Sequence, residues 1–224
     1  MDRLKSPLTV YRKKAAFWAR EIGHALLDLF YPPLCRLCQG PTRQLFCLSC
    51  QDLLTPIDPL TRCRHCFRET EQKICRICQH EALLSAKRAF VFEANPAALR
   101  LQALQDEALI ATIVSLSILQ FSHLDWELPD RIAALPPPWT AGHFAQIVEE
   151  FARAFGKEAV KEFKLVWTAP FRRSLARHRD DLLEGQTILL LDFGSDLEWL
   201  RMAIRELAPA FPKEIRILSL FEPK

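Results

Sequence analysis

The chain is predicted to be an α/β protein, with a mostly parallel sheet behind an N-terminal helix and a cysteine-rich module. Two observations predict this class. All eight cysteines lie between residues 35 and 78, in four Cys-x-x-Cys pairs. From residue 87 onward, short apolar runs alternate with longer segments of helical periodicity. That alternation is the pattern of strands joined by crossover helices. The length, 224 residues, suits one medium domain plus a small module. The expected division is residues 1–33 for the helix, 34–85 for the cysteine module and 86–224 for the α/β domain.

Residues 9–30 read as an amphipathic helix. Trp18, Ile22, Ala25 and Leu29 recur on one side, with Lys13, Arg20 and His24 on the other. Pro32 and Pro33 stop it. Packing on a neighbouring domain is expected of such a helix over lying on a membrane surface.

The cysteine pairs are Cys35/Cys38, Cys47/Cys50, Cys63/Cys66 and Cys75/Cys78. Each half reads C-x2-C-x8-C-x2-C, and the halves repeat at an offset of 28 residues. A Cys-x-x-Cys turn points two thiolates at one place, and two turns supply the four soft ligands of tetrahedral Zn²⁺. The expectation is two closed, structural four-cysteine zinc sites. Iron–sulfur binding is the alternative for the same ligands. A disulfide framework belongs to an oxidising compartment, and a thioredoxin-like motif needs one pair rather than four. The x8 spacing suits a short hairpin, which favours sequential pairing of the turns. An interleaved arrangement, first pair with third, stays open. Residues 53–61, with Pro56 and Pro59, read as the linker between the two ribbons.

Strands are expected at residues 89–92, 132–135, 163–167, 187–191 and 215–221. Helices are expected from Asn95-Pro96 to about Gln120, at 144–155 before Gly156, at 172–183 before Gly185, and at 197–207. In open parallel sheets ligands bind outside the carboxyl ends of the strands. Asp192, which ends an apolar strand, is the place to look for chemistry.

Half the residues are apolar and a quarter are charged, as in a folded domain. No apolar stretch reaches the ~20 residues of a membrane span. Glu21, His24 and Asp28 interrupt any signal-peptide core near the start. The expected location is the cytoplasm. Net charge is +3, and the basic excess sits early, with 13 Lys/Arg against 8 Asp/Glu in residues 1–85. Such an excess serves either solubility or a nucleic-acid face.

The run Leu29-Phe30-Tyr31-Pro32-Pro33-Leu34-Cys35 leads into the paired ribbons. An α/β segment then opens with Ala89-Phe90-Val91-Phe92-Glu93. Together they resemble the ComF family, competence-associated proteins with a type I phosphoribosyltransferase-like domain. The resemblance covers residues 27–221, and the cysteine segment is its specific part. It implies a strand ending in two acids that bind the ribose of phosphoribosyl pyrophosphate, then a Thr-rich loop that cradles the 5′-phosphate at a helix N-terminus. At that position this chain reads Asp192-Phe193-Gly194-Ser195-Asp196-Leu197-Glu198. Asp192 matches the first acid and Phe193 replaces the second. Gly194 and Ser195 stand in the shortened loop, and Asp196 and Glu198 stand where a phosphate would bind.

The family's Gly-Phe-Asn-Gln stretch leaves remnants in Gly142, Phe144 and Gln146, without its arginines. His143 is not expected to be a base. Arg172, Arg173, Arg177 and Arg179 match the family's basic segment and are nucleic-acid candidates, with a solvated helix face as the alternative. Phe46 and Phe67 are candidate exposed aromatics for base stacking. What fills the former active site is an open question, with Trp139, Trp167 and Trp199 as the candidates.

The resemblance implies a protein assisting DNA uptake, through single-stranded DNA or a partner of the uptake machinery, with a scaffold domain that has lost its chemistry. One alternative is an active phosphoribosyltransferase using Mg²⁺ and phosphoribosyl pyrophosphate. Another is a zinc-ribbon adaptor between proteins.

Overall fold

The computed structural model describes residues 32–80, 86–103, 106–137, 143–160, 162–169, 172–177 and 183–222. The helix expected at 9–30 lies outside them. The chain divides into two compact units, Met1–Leu53 and Leu54–Lys224. The first holds the first cysteine ribbon, and the second holds the other ribbon together with the sheet.

The 28-residue repeat persists in detail. Cys35 N–H donates to Gly40 O and Cys63 N–H to Arg68 O, both at 2.8 Å. Thr42 and Thr70 each accept the backbone N–H two residues on. The Gln51 amide donates to Gln44, and the Gln79 amide to Gln72. Short helices α1 (Leu48–Leu53) and α2 (Arg76–His80) carry the last cysteines of each ribbon. Five or six residues cannot hold a helix alone, so contacts outside each turn must fix it.

The α/β domain is built on strands β1 (Lys87–Phe92), β2 (Arg131–Leu135), β3 (Ala159–Val160), β6 (Thr187–Asp192) and β7 (Glu214–Phe221). Their order is β1-β7-β6-β2-β3, and every neighbouring pair is parallel. All six residues of β6 are buried, as expected of a central strand covered on both faces.

Helix α3 (Pro96–Ala103) starts where Asn95 and Pro96 predict it, with Asn95 Oδ1 accepting the Ala98 N–H at 2.8 Å. The single helix expected to run to Gln120 is instead two. Asp106 caps a new start by accepting the Ala108 N–H, and α4 follows at Ile110–His123. A short acidic side chain that bonds the backbone ahead of it favours a cap over a helix interior. α5 (Phe144–Ala154) buries Phe144, Ile147, Val148, Phe151 and Ala152, a one-sided stripe at helical spacing. Gly156 follows at φ +65°, the left-handed turn expected of it. α6 (Leu197–Leu207) lays Leu200, Ala203, Ile204 and Leu207 against Leu135, Ile188, Leu190 and Ile217.

The segment expected as a basic helix at 172–183 is a correction. Residues Arg172–Arg177 form β5, antiparallel to β4 (Phe163–Ala169), with Leu165 opposite Leu175. Arg, Leu and Ala favour helices locally. The burial of Leu175 and Phe163 in the α6-side core outweighs that preference.

The free edge of β1 is covered by the second ribbon and the chain before it. Arg88 N–H donates to His65 O at 2.8 Å, and Ile57 N–H donates to Val91 O at 3.2 Å. The Gln120 amide on α4 donates to both Ile57 O and Phe90 O. Covering an edge strand in this way removes a site of unwanted pairing.

Candidate functional site

The four thiols of Cys35, Cys38, Cys47 and Cys50 converge, as do those of Cys63, Cys66, Cys75 and Cys78, with all four sulfurs of each set within 4.8 Å of one another. The pairing is sequential, which settles the choice left open above. Cys38 and Cys47 Sγ lie 3.6 Å apart, and Cys66 and Cys75 Sγ 3.7 Å. Four sulfurs at about 2.3 Å from a tetrahedral ion would sit about 3.8 Å apart, whereas a disulfide needs about 2.05 Å. Each set could therefore hold a metal ion, and the donors suit zinc.

The first cysteine of each set is prepared as a thiolate. Burial raises the Cys35 thiol, but backbone N–H groups at Cys38, Cys47 and Leu37 outweigh it and bring its pKa down to about 6. Cys63 is raised by burial and brought to about 6 by N–H groups at Cys66, Cys75 and His65. Cys50 and Cys78 go the other way, pushed up by burial and by the thiols beside them. A positive ion at the centre of each set would remove that repulsion.

The second place to examine is where the strand order reverses. β2 leads outward to β3, and β6 leads the opposite way to β7. The crevice for a ligand in such a sheet is at the carboxyl ends of β2 and β6. Asp192 stands there, at 0% exposure, and turns inward. It accepts the Ser195 N–H at 3.0 Å, the Ser195 hydroxyl at 2.5 Å and the Ser219 hydroxyl at 2.7 Å. Gly194, at φ +131°, permits the turn that brings Ser195 back onto this carboxylate.

The Arg88 guanidinium lies 3.9 Å from Asp192 and donates to Ser195 O and Ser219 Oγ. Burial lowers the Arg88 pKa to about 10, with Asp192 pulling it back up, so the group stays charged at neutral pH. Asp192, Gly194 and Ser195 are thus brought together as expected, but as an internal network. Arg88 and Ser219 were missed. Both lie within apolar strands, and no sequence signal pairs them with Asp192.

Several of the chain's own side chains pack at this crevice. Trp199 is buried and donates its indole N–H to Pro136 O at 2.9 Å, from the start of α6 to the end of β2. The Phe193 ring packs between Phe144 at 5.5 Å and Phe221 at 5.3 Å. Asp196 caps α6 by accepting the Trp199 N–H at 2.8 Å, so one donor that could face an anion is taken. Asp196→Ala is expected to cost about 1 kcal/mol of stability, read by urea unfolding. Of the three tryptophans left as candidates for this place, Trp199 is there. Trp139 and the Trp167 side chain lie outside the description.

Arg172 and Arg173 are backbone positions in β5, and nothing is described of their side chains or of Arg179. Arg177 Nε lies 3.7 Å from the fully buried Glu162, which also accepts from Arg131 at 3.1 Å. Phe46 and Phe67 are not exposed stacking platforms, at 5% and 2% exposure. This corrects the expectation. Phe46, a residue of the first ribbon, is buried, and Phe67 packs edge-on against Phe90 at 6.1 Å. The ribbons bury these two rings while leaving Leu48, Ile74 and Ile77 exposed.

Among the described residues no helix is long and apolar enough to cross a membrane. The fold and sites define an α/β protein with a parallel five-stranded sheet and two four-cysteine centres. Compared with known proteins, the chain matches no family model, no curated protein and no solved structure.

Proposed function

We propose that this chain is a ComF-like protein that binds single-stranded DNA in the cytoplasm during DNA uptake. Two structural zinc ions hold its ribbons, and its phosphoribosyltransferase-like domain serves as a scaffold without phosphoribosyl chemistry. The observation that carries this reading is the buried, internally bonded Asp192. A carboxylate that contacted ribose would need exposed oxygens, yet those of Asp192 are spent on Ser195 and Ser219. Fold alone does not license the ancestral activity.

Titration calorimetry with phosphoribosyl pyrophosphate and Mg²⁺ tests the loss of chemistry. No heat is expected at millimolar ligand. Clear binding that disappears in Asp192→Asn would restore the transferase. The DNA half is tested by anisotropy with labelled oligothymidylate, whose affinity is expected to fall steeply with salt, by about 0.7 in logarithmic slope per phosphate contact. Absence of binding would overturn it.

Purified protein is expected to contain about two zinc ions per chain, from one per four-cysteine set. The lowered thiolates of Cys35 and Cys63 favour the folded, metal-binding form fully above the ordinary thiol pKa of 9.0, and this contribution is lost as pH falls through about 6. Because protons compete with the metal for the thiolates, zinc is expected to be released as pH falls, followed with a metal-indicator dye.

An adaptor role is the second reading. It is favoured by an apolar depression of about 500 Å³ along Thr55–Leu60, Leu119 and His123, where Leu60 and Leu119 are exposed. Partner capture that survives nuclease treatment would support it.

A further inference from the structure

At the amino end of β1, a cleft of about 360 Å³ lies between the second ribbon and the end of α4. Its cations are Arg62, Arg64, Lys73, Lys87 and Arg88, against the acids Glu71 and Asp125. Two of the cations are committed elsewhere, Arg62 to Glu93 and Arg88 to the buried network. Arg64 and Lys87 are 59% and 42% exposed even while paired with Asp125 and Glu214. Lys73 is exposed, with no ion-pair partner among the described residues. The floor is apolar, with Leu124 and the half-buried indole of Trp126, which is propped edge-on by Phe121 at 6.0 Å.

A cavity of this size admits one small organic ligand. Cations at a rim above an aromatic floor are the combination that holds single-stranded nucleic acid, with the backbone tracked by charge and a base stacked. Duplex DNA keeps its bases stacked inside and cannot use such a floor.

We propose that this cleft is the single-strand site, with Arg64, Lys73 and Lys87 neutralising phosphates and a base lying against Trp126. The proposal rests on the reading that the chain binds single-stranded DNA, and assigns that binding to a place. It shifts the contact from the β4–β5 hairpin arginines to the ribbon–sheet cleft.

The test uses the full, zinc-loaded chain and labelled oligothymidylate of about 15 nucleotides, titrated across a salt series. Arg64→Glu with Lys73→Glu is compared with Arg68→Glu with Arg76→Glu. The control pair carries the same charge change on exposed positions of the same ribbon, outside the cleft. The cleft pair is expected to weaken binding at least tenfold more than the control and to reduce the salt slope by about 1.4, from two lost contacts at about 0.7 each. Trp126→Leu is expected to weaken binding about tenfold with less change in slope.

Equal losses in both pairs would overturn the cleft while leaving DNA binding standing. No binding by the unaltered chain would overturn both. Displacement of the oligonucleotide by polyglutamate of equal charge, as effective as unlabelled oligothymidylate, would reassign the cleft to an acidic peptide and overturn the proposal.

Discussion

Cys63→Ser is expected to release one metal ion, unfold the second ribbon and lower the melting temperature of the α/β unit by about 10 °C. The Cys63 thiolate accepts N–H groups from His65 and Cys75 and is one of four converging sulfurs. Without it the turn that presents His65 O to Arg88 N–H loses its anchor. The edge of β1 then loses a hydrogen bond worth about 1 kcal/mol, and Phe67 leaves its place against Phe90, at about 2 kcal/mol. Together these come to about 3 kcal/mol, and each kcal/mol moves the melting point of a domain this size by about 2–4 °C. Cys35→Ser supplies the contrast. It is expected to release the other ion while leaving the unit Leu54–Lys224 close to its original melting temperature, because Cys35 belongs to the other compact unit. Calorimetric scans with metal analysis of both variants give the answer. Equal effects on the α/β transition would mean that the ribbons act as one body.

Asp192→Asn is expected to destabilise the fold by about 3–5 kcal/mol, because it leaves the buried Arg88 guanidinium without its counter-charge. That is a large part of the ~5–15 kcal/mol available to a domain. The measurement is urea unfolding at neutral pH, with the midpoint falling and the slope unchanged. A double variant, Arg88→Leu with Asp192→Leu, is expected to recover part of the loss, since replacing both partners removes the stranded charge. A ligand-facing carboxylate behaves oppositely, with binding lost and stability kept. Unchanged stability in Asp192→Asn would therefore reopen the crevice as a working site.

The cysteine sites were legible because their chemistry is local. Eight cysteines in two copies of one spacing, offset by 28 residues, point at two converging sets. α5 and α6 were legible from stripes such as Phe144, Ile147, Val148 and Phe151. β5 was not, because Leu175 is the one core residue among the described side chains of Arg172–Arg177, too few to show a period of two. Asp106 was hidden inside an otherwise continuous helical period. At the crevice, the residues Asp192 to Glu198 disclosed what was missing but not what replaced it. Arg88 and Asp192 are 104 positions apart, and only register across β1, β7 and β6 brings them together. The cleft cations come from three separate segments and read in sequence as scattered charge.

The two hydrogen bonds from Gln120 have a kinetic consequence. One side chain ties Ile57, 63 residues before it, to Phe90, 30 residues before it. The second cysteine set closes within 16 residues, from Cys63 to Cys78, and so can capture its ion early, while most of the chain is still unfolded. The Gln120 amide can be satisfied only after α4 and β1 have met, which requires closing much longer loops. Refolding in the presence of metal should then show a fast local phase followed by a slower docking phase. Gln120→Ala should change only the second, leaving a ribbon that forms on time and seats late.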